Sequence, residues 1–516
     1  VYLILTASSD AYITDKIIDN LYRVDDANTG FSATLDLYKL YNESTIPSGT
    51  DDTHENTRGL IKFDYDEIST LLTDAKLDLD DPTLECRLEL TDIMGGQSTP
   101  TNFNLILFPL AQAFDEGIGR DVVSYADVGA TNWVTASFTA GLVSEWFMTG
   151  AKKEGLLGSN DIDVISSGNL NDGMGIQSLY STQNFFNGSE DLSMDVTTVV
   201  SASVAGQMQN HGFLLAFSGT DETDDKTRFV KRFATRHVRN PLIRPRLIIS
   251  WDDSIQDNHK NFFFDLTGSL FLRNYHYGEE ANIVSGSALS NIQGSSCMKL
   301  DIVSGSFLKT LDVSQYYVGN TLIPGIYTAS FAIPSVDDSL VNDSDTVNDF
   351  AIKSGSMIFE EYWRSNDETV GFYTGSLELK MPHRTPNLNS ARKLDLIVTD
   401  VKNEYSLDDK AKFRVFVRDP AAERDREGSK LPIEIDSLVL NEVYYRIRDA
   451  ITGKIFIPFK RNNNGTRLSS DTTGMFFEFY MNNLAPGRVY TVDFLVIDRG
   501  VELVLSDKGV QFRVNA

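Results

Sequence analysis

Six histidines, two cysteines and 73 carboxylates are the residues of this 516-residue chain through which chemistry could run. His54, His211, His237, His259, His276 and His383 stand apart from one another in sequence. No HExxH helix, zinc-deaminase signature or local nucleophile–base pair can be assembled from neighbours. Cys86 and Cys297 have no His pattern beside them and read as core or strand residues. No glycine-rich phosphate cradle follows a strand, and no carboxylate spacing singles out a glycosidase couple. The expectation is a protein without catalytic residues and without a cofactor.

One acidic stretch is denser than the rest: Asp337-Asp338 through Asn342-Asp343-Ser344-Asp345 to Asn348-Asp349. Oxygen-rich loops of this kind can hold calcium, so Asp343, Asp345 and Asp349 are the candidate metal ligands. The glycine and terminal glutamate of an EF-hand are absent, and the competing reading is a solvated loop. The mixed-charge segment Arg418-Asp419-Pro420 to Arg426-Glu427-Gly428 reads as a loop tip and a candidate interface.

The net charge of −27 argues against nucleic-acid binding, which needs clustered Lys and Arg on the phosphates, and against an anionic membrane surface. Acidity of this size serves solubility, or a basic partner. Two cysteines exclude a disulfide framework. No stretch is long enough to span a bilayer, and Val1-Tyr2-Leu3-Ile4-Leu5 reads as a first strand rather than a signal peptide.

The elements that must position these residues are short β runs. Phe31 to Tyr38 and Gly59 to Asp64 alternate as half-buried strands do, and further strands are expected at 75–79, 85–90, 103–107, 212–217 and 247–251. Asn28-Thr29-Gly30, Gly95-Gly96 and Asn187-Gly188 mark turns where positive φ is needed or tolerated. Helix is expected at 66–72, at 196–208, and at 139–150, where Leu142, Val143, Trp146 and Phe147 follow an i, i+3/i+4 spacing. Trp133 and Trp251 anchor strand ends, and a sugar-stacking role for Trp133 or Trp146 is the sharper alternative.

From 261 onward the pattern stays β. Strand runs open at Asn261 and Leu270, and Gly325 to Ile333 alternates after a Pro324-Gly325 turn. Ser285-Gly286-Ser287, Ser304-Gly305-Ser306 and Ser354-Gly355-Ser356 read as bends or hairpin corners. The last segment has strands beginning near Lys393, Lys412, Val443, Met475 and Tyr490.

Several of these phrases carry a resemblance. Asp10-Ala11-Tyr12-Ile13 with Asn28-Thr29-Gly30, Arg58-Gly59-Leu60-Ile61-Lys62-Phe63-Asp64 and Ala75-Lys76-Leu77-Asp78-Leu79 are similar to the opening half of the DNRLRE domain family. Asn132-Trp133, Met194-Asp195-Val196-Thr197, Asn210-His211-Gly212-Phe213-Leu214-Leu215 and Arg244-Pro245-Arg246-Leu247 are similar to its closing half. The resemblance covers roughly residues 8–252 and implies a jelly-roll-like β-sandwich of bacterial surface and phage proteins, related in architecture to carbohydrate-binding modules. One departure stands out: where the family carries a Ser-Arg-Glu-like segment, this chain has Phe233-Ala234-Thr235-Arg236-His237-Val238. Leu484-Ala485-Pro486-Gly487-Arg488-Val489-Tyr490-Thr491 resembles the turn and Tyr-containing strand of fibronectin type III and other Ig-like domains.

The expected architecture is all-β: tandem β-sandwiches at 1–253 (DNRLRE-like), 260–392 and 393–516 (Ig-like or fibronectin III-like), with linkers near 253–260 and 392–410. The expected role is a non-enzymatic virion structural protein of a bacteriophage, a tail, neck or capsid-vertex component. Its partners would be other virion proteins, in a homo-oligomer or many copies, with a glycan as a further ligand and neither nucleic acid nor membrane. The alternative is a carbohydrate-binding, adhesive surface protein.

Overall fold

The computed structural model describes residues 1–46, 53–93, 99–120, 129–139, 141–170, 173–286, 289–318, 321–382, 393–420, 437–506 and 509–515. The Gly95-Gly96 turn, Ser287, His383, the domain end at 392 and the Arg426-Glu427-Gly428 end of the mixed-charge loop lie outside them. The chain is all-β and groups into two compact units, one of Leu3–Thr70 and Leu84–Ser250, the other of Val1–Tyr2, Leu71–Thr83 and Trp251–Ala516.

The unit holding most of the first 250 residues has a four-stranded sheet, in the order Tyr2–Thr6, Arg246–Ser250, Glu85–Leu90 and Leu192–Asp195, and a larger seven-stranded sheet. The alternation of Glu85–Leu90 explains its place: Cys86, Leu88 and Leu90 are buried while the residues between them are half-buried. In the larger sheet His54–Lys62 is central, flanked by Phe213–Phe217 on one side and by Ser9–Thr14 and Thr34–Tyr41 on the other. Phe213–Phe217 is buried at every position, as a central strand covered on both faces must be.

In the other unit, residues 262–380 form a seven-stranded sheet whose edge strands, Phe262–Phe263 and Gly268–Arg273, are nearly consecutive in the chain. Phe264 N donates to Lys380 O at 3.0 Å and Asp265 N to Ile333 O at 3.1 Å, so the sheet curls until its ends meet. Two opposed layers thus enclose one core that includes Leu300, Tyr327, Phe359 and Trp363.

Residues 395–515 form a two-sheet sandwich. One sheet runs Asp395–Thr399, Lys410–Arg418, Gly474–Tyr480, Ser469–Asp471; the other runs Glu404–Ser406, Gln511–Asn515, Val489–Asp498, Glu442–Asp449, Ile455–Ile457. Read in chain order this is the Ig-type strand arrangement, with the first strand divided between the sheets. The Leu484-to-Thr491 phrase makes a tyrosine corner: Gly487 takes φ +78°, and the buried Tyr490 hydroxyl donates to Ala485 O at 2.9 Å.

The helices Asp66–Thr73 and Thr197–Val204 fall where expected. Of residues 139 and 141–150, none is helical. Gly141 at φ +86° turns the chain back, and Leu142–Glu145 pairs with Thr135–Thr139 as a hairpin. Of the four apolar residues behind the helical expectation only Trp146 is buried; its indole N–H donates to Asn132 O at 2.9 Å. Residues 75–79 are not a strand either: Ala75 takes φ +58°, and Asp78 and Asp81 accept from Asp80 N and Thr83 N in local turns.

Pro324-Gly325 lies inside the strand Thr321–Phe331 as a bulge rather than before it, with Gly325 at φ +75° where the pairing register slips. The run opening at Asn261 shrinks to Phe262–Phe263. Ser304-Gly305-Ser306 is a hairpin corner, and Gly355 is the left-handed cap of the helix Val347–Ser354. The linker expected at 253–260 is polar but not free: Ser470 N donates to Ile255 O at 2.8 Å, Gln256 bridges to Ser470, and Ile255, Asp257 and His259 are buried.

Candidate functional site

The structure spends two of the three predicted metal ligands on local contacts. Asp349 accepts from Thr346 N and Oγ1 at 3.0 and 2.9 Å while Thr346 Oγ1 accepts from Asp349 N, a capping box at the start of Val347–Ser354. Asp345 takes Lys353 Nζ at 2.8 Å, and that ammonium holds its carboxyl below the usual range. Asp343 is exposed.

A tighter constellation is assembled from phrases far apart in the sequence. Asp10, Glu116 and His237 each bring a ligand-type atom within 4.8 Å of the others, the one such group among the described residues. Asp10 enters from Ser9–Thr14, His237 from just beyond Arg228–Ala234, and Glu116 from the loop after Phe103–Pro109. Asn28 shapes that loop: its side-chain amide donates to Glu116 O and Thr131 O, and its oxygen accepts from Gly30 N and Gly119 N. Gly30 is required for close approach rather than positive φ, because a Cβ there would stand 1.8 Å from Glu116 O.

The charges of this cluster are largely matched inside it. Arg236 clamps Glu116 with Nε to Oε1 at 2.6 Å and Nη2 to Oε2 at 2.5 Å, the two-point geometry at which guanidinium excels. Glu116 Oε1 also accepts from Asp10 N at 2.9 Å and lies 3.3 Å from His237 Nε2. Asp10 accepts from Arg236 N through Oδ2, while its buried Oδ1 has no partner. Burial first, then the neighbouring Glu116 charge, push the Asp10 carboxyl up to about 7 against the pull of the Arg236 contacts. The donor set would suit a divalent cation in kind, but the guanidinium already occupies both Glu116 oxygens. The arrangement acts as a lock between three distant segments.

A second buried constellation lies in the other unit. His259 places Nδ1 2.5 Å from Asp257 Oδ1 and Nε2 3.1 Å from Glu361 Oε2, which also accepts from Trp363 Nε1 at 3.1 Å. Burial alone would lower His259, but the bonds to the two carboxylates outweigh it and carry its pKa up to about 10. The imidazolium therefore lies between two buried anions with both ring nitrogens engaged. This suits an internal charge clamp better than a general base with a free nitrogen.

The residue types of both clusters are visible in sequence, but their meeting is not. Asp10, Asn28 and Arg236-His237 all fall in the phrases that carry the DNRLRE resemblance or its departure, whereas Glu116 carries no local signal. Glu361 does have one: it is the charged member of the inward series Met357, Phe359, Glu361, Trp363. Trp133 and Trp146, the sugar-stacking candidates, are buried in one core cluster and present no stacking face. Cys86 is buried and Cys297 half-buried, and both are free. No described helix is long and apolar enough to cross a membrane.

One stretch exposes large apolar side chains in unusual density. Phe138, Leu142, Val143, Phe147, Met148 and Leu156 all lie open, and Leu142 is 75% exposed. Phe138 and Val143 are cross-strand partners, so their side chains share a face. Met174, Ile176 and Phe186 continue the exposure along the chain.

No family model and no curated protein sequence matches this chain. Among solved structures it is similar at 10% identity to dimeric latent PorU from Porphyromonas gingivalis, over 94% of this chain and 34% of that one, with a TM-score of 0.17. Protocadherin gamma B7 extracellular cadherin domains 1–4 align at 11% identity over 54% of this chain and 63% of theirs, with a TM-score of 0.14. A putative membrane anchored protein from Corynebacterium diphtheriae aligns at 8% identity over 100% and 97% of the two chains, with a TM-score of 0.13. The chain thus spans about a third of PorU and under two thirds of the protocadherin fragment. All three scores lie far below that of a shared fold.

Proposed function

We propose that this chain is a non-enzymatic structural component of a bacteriophage virion, a multi-domain element of the tail, neck or capsid-vertex region that works in many copies against other virion proteins. The observation that carries the assembly role is the exposed apolar face of the Thr135–Thr139 and Leu142–Glu145 hairpin and the residues after it. Isolated exposed leucines need no explanation, but a run of large apolar side chains on a chain of net charge −27 marks a contact surface. The two ionisable clusters support a structural reading, since their groups pair internally. The virion setting rests on the resemblance of residues 8–252 to the DNRLRE family.

The test is peptide mass spectrometry of purified particles, with the chain expected at fixed stoichiometry. Leu142→Asp with Val143→Asp should leave folded stability within about 0.5 kcal/mol, as exposed substitutions do, yet exclude the chain from particles. Absence of the wild-type chain from particles would overturn the virion role; normal incorporation of the double variant would overturn the assigned contact face.

A further inference from the structure

Lys231 is fully buried inside the unit that holds most of the first 250 residues. It stands on Arg228–Ala234, the strand at one end of the seven-stranded sheet, and its Nζ lies 2.5 Å from Asp92 Oδ1. Asp92 follows Glu85–Leu90 of the four-stranded sheet, and its side chain is only 11% exposed. The pair therefore links the two sheets between residues 139 positions apart in the chain. A backbone bridge from Asp92 to Phe233, with Ile93 N donating to Arg232 O at 3.0 Å, fixes the two segments against each other.

The other contacts of the lysine are with main-chain carbonyls, Gly188 O at 2.9 Å and Glu190 O at 2.8 Å. Two rings close over it, the centroids of Phe233 and Phe185 lying 4.8 and 5.0 Å from Nζ. Burial lowers the lysine below its ordinary value against the pull of Asp92, Glu190 and Asp191. Among the described residues Asp92 pairs with no other cation. The other fully buried lysine, Lys39, differs here: its partner Asp224 also takes two bonds from Arg228, which hold that carboxyl well below the usual range and keep it an anion. A second carboxylate stands close enough to Lys231 to act on its charge. Glu190 Oε1 accepts from Asn187 N at 2.7 Å, while its Oε2 is buried and has no partner.

Keeping an ion pair in such a place costs the hydration of both charges. An amide between the same two side chains carries neither charge. Groups held in contact react as if each were present at roughly 10⁵–10⁸ M, which opposes the preference of free amine and acid in water to stay apart. We propose that Lys231 and Asp92 condense to an intramolecular isopeptide bond that ties the two sheets together covalently, with Glu190 as the proton carrier. One Nζ proton moves along the 2.5 Å contact to Asp92 Oδ1, and Glu190 takes a second. The freed electron pair on nitrogen bonds to Asp92 Cγ, the Cγ–Oδ1 bond breaks, and Oδ1 leaves as water with the first proton and the one Glu190 returns. Ammonium and carboxylate thus become amide and water, with no other reactant. This bond is independent of the assembly role and forms whether or not the chain resides in a particle.

The test uses the full wild-type chain. Its intact mass in denaturant should fall short of the sequence mass by one water, and a tryptic digest should yield a branched peptide joining Lys231 to Asp92. Lys231→Met and Asp92→Ala should each have the full sequence mass; the branched wild-type peptide decides by itself should those variants fail to fold. Glu190→Gln should accumulate the bond after synthesis at least about tenfold more slowly. A folded wild-type chain of full sequence mass would overturn the bond, as would a water loss without the branched peptide, which would place a cyclised aspartate elsewhere. Wild-type accumulation in Glu190→Gln would overturn the proton carrier. None of these outcomes bears on incorporation into particles, so the two proposals fail separately.

Discussion

At Asp10 the folded chain holds a proton that the unfolded chain releases, because its carboxyl is pushed from an ordinary 3.8 up to about 7. The sign follows: this contribution to stability is fully present below the unfolded value and is lost as pH rises through about 7. Asp10→Asn cannot ionise, keeps an oxygen for Arg236 N and gains an amide to donate toward Glu116. Urea unfolding at pH 8 should show the variant more stable by roughly 1–3 kcal/mol, with the gain vanishing near pH 4; an equal gain at both values would refute the account. His259 is raised to about 10, so its contribution is complete below its unfolded value of about 6.5 and fades as pH climbs through 10. His259→Leu leaves Asp257 and Glu361 buried and uncompensated, which should cost about 3–5 kcal/mol at pH 6 and clearly less at pH 10.5.

Among the elements, the two most constrained turns are predictable in their failure. Tyr490→Phe keeps the buried ring and removes only the bond to Ala485 O, leaving a carbonyl without its donor. The expected loss is about 1–2 kcal/mol, and a neutral result would mean that the corner is held by packing alone. Gly30→Ala drives a methyl into Glu116 O and should cost roughly 2–3 kcal/mol through backbone displacement. The same variant should reduce, without abolishing, the pH-dependent difference between Asp10→Asn and wild type, since it moves the Glu116 carboxylate that faces Asp10 while burial remains the larger cause of the shift. The hairpin at 135–145 teaches the converse: an apolar spacing that matches a helix can equally arise from a strand with an exposed, sticky face.

For the whole molecule, the segment after Trp251 changes what proteolysis should report. Its polar composition suggests an open linker, yet Ile255, Asp257 and His259 are buried and its backbone is bonded to that of Ser470. Chymotrypsin should therefore cleave at Tyr277, which is 97% exposed, before Phe262 or Phe264, both buried within the same unit. Mass spectrometry of the early fragments decides the point, and first cleavage at 262–264 would show that the segment is a free hinge. High net charge keeps separate copies apart in solution, which is compatible with the assembly role proposed above.

Much of the strand layout was legible from alternation alone. Glu85–Leu90 and Lys410–Arg418 read correctly because a half-buried sheet imposes period two on the side chains wherever it lies. The tyrosine corner was legible as a short phrase, because its turn, its glycine and its ring are neighbours in the chain. The strands at 75–79 and the helix at 139–150 were misread for a related reason: apolar spacing records which residues are apolar, and only the completed fold decides which of them are covered. The candidate sites lie beyond local reading altogether. Asp10, Glu116 and Arg236 are separated by more than a hundred residues at each step, and His259 meets Glu361 only once the sheet has curled on itself. By itself the sequence determined an acidic all-β chain of tandem sandwiches. The tertiary structure decided which charges pair and which apolar side chains remain open, because both depend on contacts between segments that no local pattern encodes.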